Sequence, residues 1–422
     1  MSSYAAYLDW LDQQSESMRN LLQAWANLNS GSFNPVGLGE LAELVRLRFV
    51  EIADEASLSL PPVCEQIDET GHRVSLPLGP NVVAFRRREA PVQVLLAIHM
   101  DTVYGPESAF QSVSLLDQDT LHGPGVADAK GGLVVMLFAL HAFERFVQQT
   151  QRQHLGWQVI VNSDEEIGSP GSTPLFQHAA QTADLGLLFE PSLPQGSLVS
   201  SRKGTGNFSI VIRGQSAHSG RDFHLGRNAI VAAATITGEL HRLNGRWPEM
   251  TLNVARIDGG GPSNMVPALA VIRLNIRYTA IEQEPEILKA IDEILAQTAE
   301  RQGVTAIRHG QFTTPPKLKT PELDALFHQF QSCGEELGTA LNWESSGGSC
   351  DGNRLAAFGV PNLDTLGVRG GKIHSPDEFV LLDSLVERAK LTALYLMRLA
   401  DGVISPPLRR SPEPVPPDSQ QP

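Results

Sequence analysis

An apolar segment, Ile160-Val161-Asn162, runs into three consecutive carboxylates, Asp164, Glu165 and Glu166, before Gly168 ends the stretch. Adjacent carboxylates raise one another's pKa unless a positive charge lies among them, so three together at a strand end are suited to a strongly cationic partner such as a metal ion. Two other apolar runs end on similar groups. Residues 92–98 (VQVLLAI) stop at His99 with Asp101 beyond it, and Leu187-Leu188-Phe189 stops at Glu190. The run over 92–98 is continuous rather than alternating, which predicts burial on both faces, as in a parallel sheet. In open α/β sheets ligands sit beyond the carboxyl ends of the strands, so these residues mark the expected site.

The chain has 422 residues, more than one core usually serves, and two domains are expected. A formal net charge of -14 argues against nucleic acid as a partner, which normally requires a basic face. Cys64, Cys333 and Cys350 show no CxxC spacing, so neither a disulfide framework nor a thiolate zinc site is indicated. Residues 1–20 lack a basic segment followed by an apolar run, and no window reads as a membrane span, so a cytoplasmic protein without membrane partners is expected. The proline-rich residues 404–422 are expected to be a disordered tail.

Apolar spacing predicts one amphipathic helix over 4–29 and a second over 39–53. The glycine-rich loop 123–132 (GPGVADAKGG) precedes an apolar helix over 133–146, and it lacks the Gly-Lys-Ser/Thr ending of a phosphate loop. Strands over 158–162 and 184–189 flank a helical segment at 172–180. From residue 200 the pattern changes to strand 207–213, helix 229–243, strands 251–258 and 270–278, helix 284–302 and strand 304–312. That β-α-β-β-α-β order predicts a small ferredoxin-like domain inserted in the first. Helices over 321–337 and 381–399 return to the α/β domain. The expected architecture is therefore a mixed, mainly parallel sheet flanked by helices (1–198 and 314–403), with an α+β insert at 199–313.

His99, Asp128 in the glycine loop, Glu166, Glu190 and His374 in GKIHSPDE together fit two divalent ions sharing a carboxylate, with nitrogen and oxygen donors suited to zinc, cobalt or manganese. HMDTV (99–103), GPGVADAKGG, DEEIGS (164–169), FEP (189–191) and His374-Ser375 resemble the co-catalytic zinc amidohydrolase and exopeptidase family, which includes aminoacylase, acetylornithine deacetylase, succinyl-diaminopimelate desuccinylase, peptidase T and glutamate carboxypeptidase. The resemblance covers about residues 92–399 and implies a zinc exopeptidase-like fold. It implies that Asp128 bridges two zinc ions, that His99 and Glu190 complete one site, and that Glu166 and His374 complete the other. Glu165 becomes the general base acting on a water between the ions. On an extended segment Glu165 and Glu166 would face opposite sides, and Asp101 is expected to orient His99.

The family's insert is a lid that also dimerises, so a homodimer is implied. His218 in GQSAHSG matches a histidine that reaches a neighbouring active site and stabilises the oxyanion. Asn264 and Arg277 match positions holding the substrate carboxylate, and Lys203 stands at the start of the insert. Gly348 and Ser349, in SGGSCDG, could form a backbone nest for a carboxylate. FEPS, RKG and AHSG resemble most the glutamate-carboxypeptidase branch, and glutamate at 190 implies an acylated amino acid or short peptide as substrate, cleaved to release an amino acid. A di- or aminopeptidase of the same family is the alternative within enzymes. A catalytically silent, metal-stabilised binding protein is the alternative of another class.

Overall fold

Four parallel strands lie at the centre of the computed structural model, which describes residues 4–407. The six-stranded sheet runs Glu55–Ser59, Asn81–Arg86, Leu155–Asn162, Val92–His99, Leu185–Leu188 and Asn362–Leu363. The last four are mutually parallel, and the first two add an antiparallel edge. Val94, Leu96 and Ile98 enter the core under the N-terminal and closing helices, whereas Leu95 and Ala97 enter a separate cluster with Phe176 and Leu355 on the opposite face. Burial on both faces is the physical origin of the unbroken apolar run.

The helix Lys130–Thr150 is long and apolar enough to cross a membrane by length and composition alone. With 78% of its 18-residue window buried inside the structure, it is a core helix. Its first turn explains the paired glycines: a Cβ at Gly132 would lie 1.9 Å from the Phe189 carbonyl oxygen, and one at Gly131 would lie 2.5 Å from that of Val126. Only hydrogen side chains let the helix start so close to the strand end that carries Glu190.

The insert forms its own core. Its antiparallel sheet runs Thr251–Gly259, Leu269–Tyr278, Gly204–Arg213 and Thr305–Thr314, with Ala229–His241 and Gln283–Gln302 on one face. Phe208, Ile210, Ile212, Ile272 and Leu274 meet Ile236, Ile287 and Ile291 beneath those helices. The connecting strand Leu198–Arg202 pairs with Trp343–Ser346 instead, and Arg202 and Lys317 pair across the two connections through N–H···O bonds of 2.9 and 3.0 Å. Both cations also bond the buried Asp364 carboxylate, Arg202 at 2.8 and 2.9 Å and Lys317 at 2.6 Å.

Several local expectations are corrected. The leading helix is two, Ala5–Asp12 and Ser15–Ala26, separated at Gln13-Gln14. The next helix is Pro35–Val50, because Asn34 Oδ1 accepts from Gly37 N at 3.2 Å and Pro35 takes the first helical position. Part of the proposed tail is ordered: Ile404 packs on the main core and the Ser405 carbonyl accepts from Gln329 at 3.0 Å. Residues 408–422 of that tail lie outside the described residues.

Candidate metal centre

His99 is the last residue of its strand and is buried. Its Nε2 lies 3.1 Å from Asp128 Oδ1 and 3.6 Å from Glu190 Oε2. The other Asp128 oxygen, Oδ2, lies 3.2 Å from His374 Nε2, which is 3.1 Å from Glu166 Oε2. Asp128 thus stands between two imidazoles, each with a further carboxylate beside it. Two donors each about 2.0–2.1 Å from a tetrahedral ion lie roughly 3.3 Å apart, close to these separations. His99, Asp128 and Glu166 each offer a ligand atom within 4.8 Å of the others. The donor set therefore fits divalent metal.

The electrostatics point the same way. Burial, followed by the nearby Asp128, pushes the Glu166 carboxyl up to about 7, and burial also raises Glu190. Glu165 is driven well above its ordinary range, first by burial and then by Glu190. Burial alone would depress His99, but Glu190, Asp101 and Asp128 outweigh it and hold the imidazole well above its usual value. Hydrogen bonds to Asp128 and Glu166 hold His374 up at about 11. The protein's own groups retain protons to limit their mutual repulsion, and divalent cations would replace those protons.

The acidic stretch is not extended. Glu165–Ile167 is a short 3-10 turn ended by Gly168 at φ +92°, and it is the turn, rather than strand alternation, that separates the two glutamates. Asp164 turns away to accept from Gly171 N at 2.6 Å and from the Ser172 hydroxyl. Asp101 faces His99 with its backbone carbonyl as well as its carboxylate. Its backbone carbonyl is 3.0 Å from His99 Nδ1 while its carboxylate is 3.4 Å away. That carboxylate accepts from Glu165 N at 3.1 Å, Glu166 N at 3.2 Å and Ser32 Oγ at 2.7 Å.

Arg277 reaches this region from the lid. Its Nη1 donates to Ser349 Oγ at 2.8 Å and its Nε to Asn275 Oδ1 at 3.0 Å. Burial lowers its pKa, and the Glu165 charge opposes that shift. Two amides of the anticipated nest are already engaged: Gly348 N donates to Ser346 Oγ at 3.2 Å and Cys350 N to Asn353 Oδ1 at 3.2 Å. Lys203 Nζ donates to the Glu249 carbonyl at 2.7 Å. His218 and Asn264 are exposed neighbours, with Ser219 N donating to the Asn264 carbonyl at 3.0 Å. His218 Nδ1 accepts from Gly220 N and Arg221 N at 3.1 and 3.2 Å, which leaves the proton of a neutral ring on Nε2.

The sequence reading missed two buried acids. Glu378 accepts from Asp128 N at 3.0 Å, Ala127 N at 2.9 Å, Gly125 N at 3.2 Å and Tyr104 OH at 2.9 Å, and so fixes the loop carrying Asp128. Asp351 accepts from Asn162 Nδ2 at 2.7 Å and Ser169 Oγ at 2.6 Å. Both stood inside quoted motifs, HSPDE and SCDG, where an acid beside glycine or proline reads as turn chemistry.

Residues 95–398 match the model of peptidase family M20/M25/M40. The chain is 29% identical to carboxypeptidase G2 of Pseudomonas sp. (strain RS-16) over 336 residues, covering 78% of this chain and 79% of that protein. It is 30% identical over 337 residues to succinyl-diaminopimelate desuccinylase of Xanthomonas oryzae pv. oryzae (strain PXO99A), covering 75% and 85%. In fold it is similar to the di-peptidase Dug1p of Saccharomyces cerevisiae, with a TM-score of 0.75 and 15% identity over 95% of this chain and 99% of that one. The chain belongs to peptidase family M20/M25/M40. It is a metal-dependent hydrolase of amide bonds, and the alternative of a silent binding protein is set aside.

Proposed function

We propose that the protein releases an amino acid with a free carboxylate from an acylated amino acid or short peptide. The observation that carries this reading is Asp128 placed between His99 and His374, with Glu165 on the same turn as Glu166. His99, Asp128 and Glu190 would hold one divalent ion, and His374, Glu166 and the shared Asp128 a second, with zinc favoured and cobalt or manganese compatible with the donors. Such ions supply Lewis acidity for the scissile carbonyl and for the attacking water. Glu165, whose carboxyl has a raised proton affinity, takes a proton from that water and delivers it to the leaving nitrogen.

The Arg277 guanidinium, bonded to Ser349, favours a substrate carboxylate, which supports release of a C-terminal amino acid over aminopeptidase action. The relatives named carboxypeptidase G2 and succinyl-diaminopimelate desuccinylase agree with that preference. Lys203, Asn264 and Gly348 are assigned to substrate contact by family resemblance, with Lys203 requiring release from Glu249.

The catalytic unit is assigned to 1–198 and 314–403 and the lid to 199–313. Among the described residues Thr251–Gly259 pairs only with Leu269–Tyr278 within the lid sheet, and Ile257 and Val231 are exposed, which supports a homodimer through the lid. His218 then serves a neighbouring site as an oxyanion donor. Three free thiols support a cytoplasmic location.

Metal content by elemental analysis, paired with hydrolysis of N-acyl amino acids and C-terminal-glutamate peptides, tests the reading. About two ions per chain with cleavage of a panel member is expected. Two ions with cleavage only of substrates bearing a free amine would transfer the protein to the di- or aminopeptidase alternative.

A further inference from the structure

The short helix Asp351–Ala357 touches the lid, both connections to it and the acidic turn. It follows the loop whose Ser349 meets Arg277 of the lid. Within it, Asn353 Nδ2 donates to the carbonyls of Lys203, at 3.1 Å, and Pro315, at 2.8 Å, one on each connection to the lid. Arg354, the next residue, is buried, and its Nε donates to Asp351 Oδ1 at 3.0 Å. Its Nη1 donates to the Thr313 carbonyl, at the end of the last lid strand, and its Nη2 to the Gly168 carbonyl. Gly168 N in turn donates to the Glu165 carbonyl at 2.8 Å and closes the acidic turn.

One planar guanidinium therefore grips the lid strand with one nitrogen and the turn bearing Glu165 with another. Its geometry is rigid, since the fork of an arginine presents donors at fixed angles. Asp351 holds the third nitrogen and is itself fixed by Asn162 and Ser169. Thr313 of the lid strand and Gly168 of the turn are thus joined through a stiff group, not through a flexible chain.

We propose that Arg354 is a positioning residue that sets Glu165 according to the orientation of the lid. The inference rests on Glu165 as the proton carrier. Lysine at this position keeps the charge beside Asp351 but, as a single ammonium, cannot reproduce the planar bridge between the two carbonyls.

The test is a mutant cycle with R354K, E165Q and the double variant, each assayed as metal-loaded protein with KM, kcat, metal content and thermal midpoint measured separately. R354K is expected to lower kcat about 10²-fold, the scale on which a misplaced catalytic group costs rate, with KM changed less than about threefold and metal content retained. In the E165Q background the same substitution should lower residual kcat less than about threefold, because the group being positioned has lost its function. Equal losses in both backgrounds, or wild-type kcat in R354K, would overturn the proposal. If R354K fails to fold, R354M/D351N removes both buried charges together and enters the same cycle. Full activity of E165Q alone would refute the Glu165 reading, a result separate from any loss seen in R354K.

Discussion

The Asp101 carboxylate accepts the backbone amide of Glu165 at 3.1 Å. Its second oxygen takes the Glu166 amide, and its backbone carbonyl faces His99 Nδ1, so one buried residue fixes the orientation of a candidate ligand and of the acidic turn together. Asp101→Asn places an NH₂ donor against one of those amides. Metal affinity is expected to fall about 10–100-fold, the usual cost of losing a partner that orients a ligand. Titration in chelator-buffered zinc measures it, and unchanged affinity would show that the turn holds its shape without the charge.

Glu165→Gln preserves size and keeps hydrogen-bonding capacity while removing the proton acceptor. Turnover should fall about 10²–10⁴-fold, the range for general acid–base groups, with metal content at the wild-type level. Retained activity in a protein with full metal content would remove Glu165 from proton transfer.

Metal-stripped protein should lose stability as pH rises through the window from 4.5 to about 7 set by Glu166. The sign follows from linkage: the folded carboxyl is raised, so the folded state binds more protons than the unfolded chain within that window, and raising the pH favours unfolding. His374, raised from 6.5 to about 11, continues the loss above neutrality in the same direction. Metal affinity should move oppositely and strengthen with pH, because binding expels those protons. Thermal midpoints of stripped and zinc-loaded protein across pH 5 to 8 measure both effects, and a stripped protein that gains stability from pH 5 to 7 would contradict the electrostatic account.

The α/β class and the lid topology were legible because their signals are long and periodic: an unbroken apolar run needs two buried faces, and the β-α-β-β-α-β order leaves few ways to pack. Five residues of the candidate centre were legible as strand-end or loop acids and histidines joined to a family pattern. The 3-10 turn at Glu165 was not, since the side chains that hydrogen-bond it, Asp101 and Arg354, are both distant in sequence. Glu378 was invisible for a related reason. Its role is to collect the amides of Gly125, Ala127 and Asp128, about 250 residues away, and nothing in its own neighbourhood announces that.

His218 offers the sharpest test of action between chains. It is exposed, and its Nδ1 is occupied by two backbone amides, which leaves Nε2–H as the donor of a neutral ring. As an oxyanion donor to a neighbouring site, His218→Ala should lower kcat about 10²–10³-fold without loss of metal. Mixing equal amounts of His218→Ala and Glu165→Gln, after dissociation and reassembly, should then restore activity. In each mixed dimer one site receives both an intact Glu165 and its partner's intact histidine, so random pairing gives roughly a quarter of the wild-type rate per chain. Recovery near that level places His218 in trans. If the mixture stays at the sum of its two inactive parents while mixed dimers are shown to form, the histidine serves its own chain or no site at all.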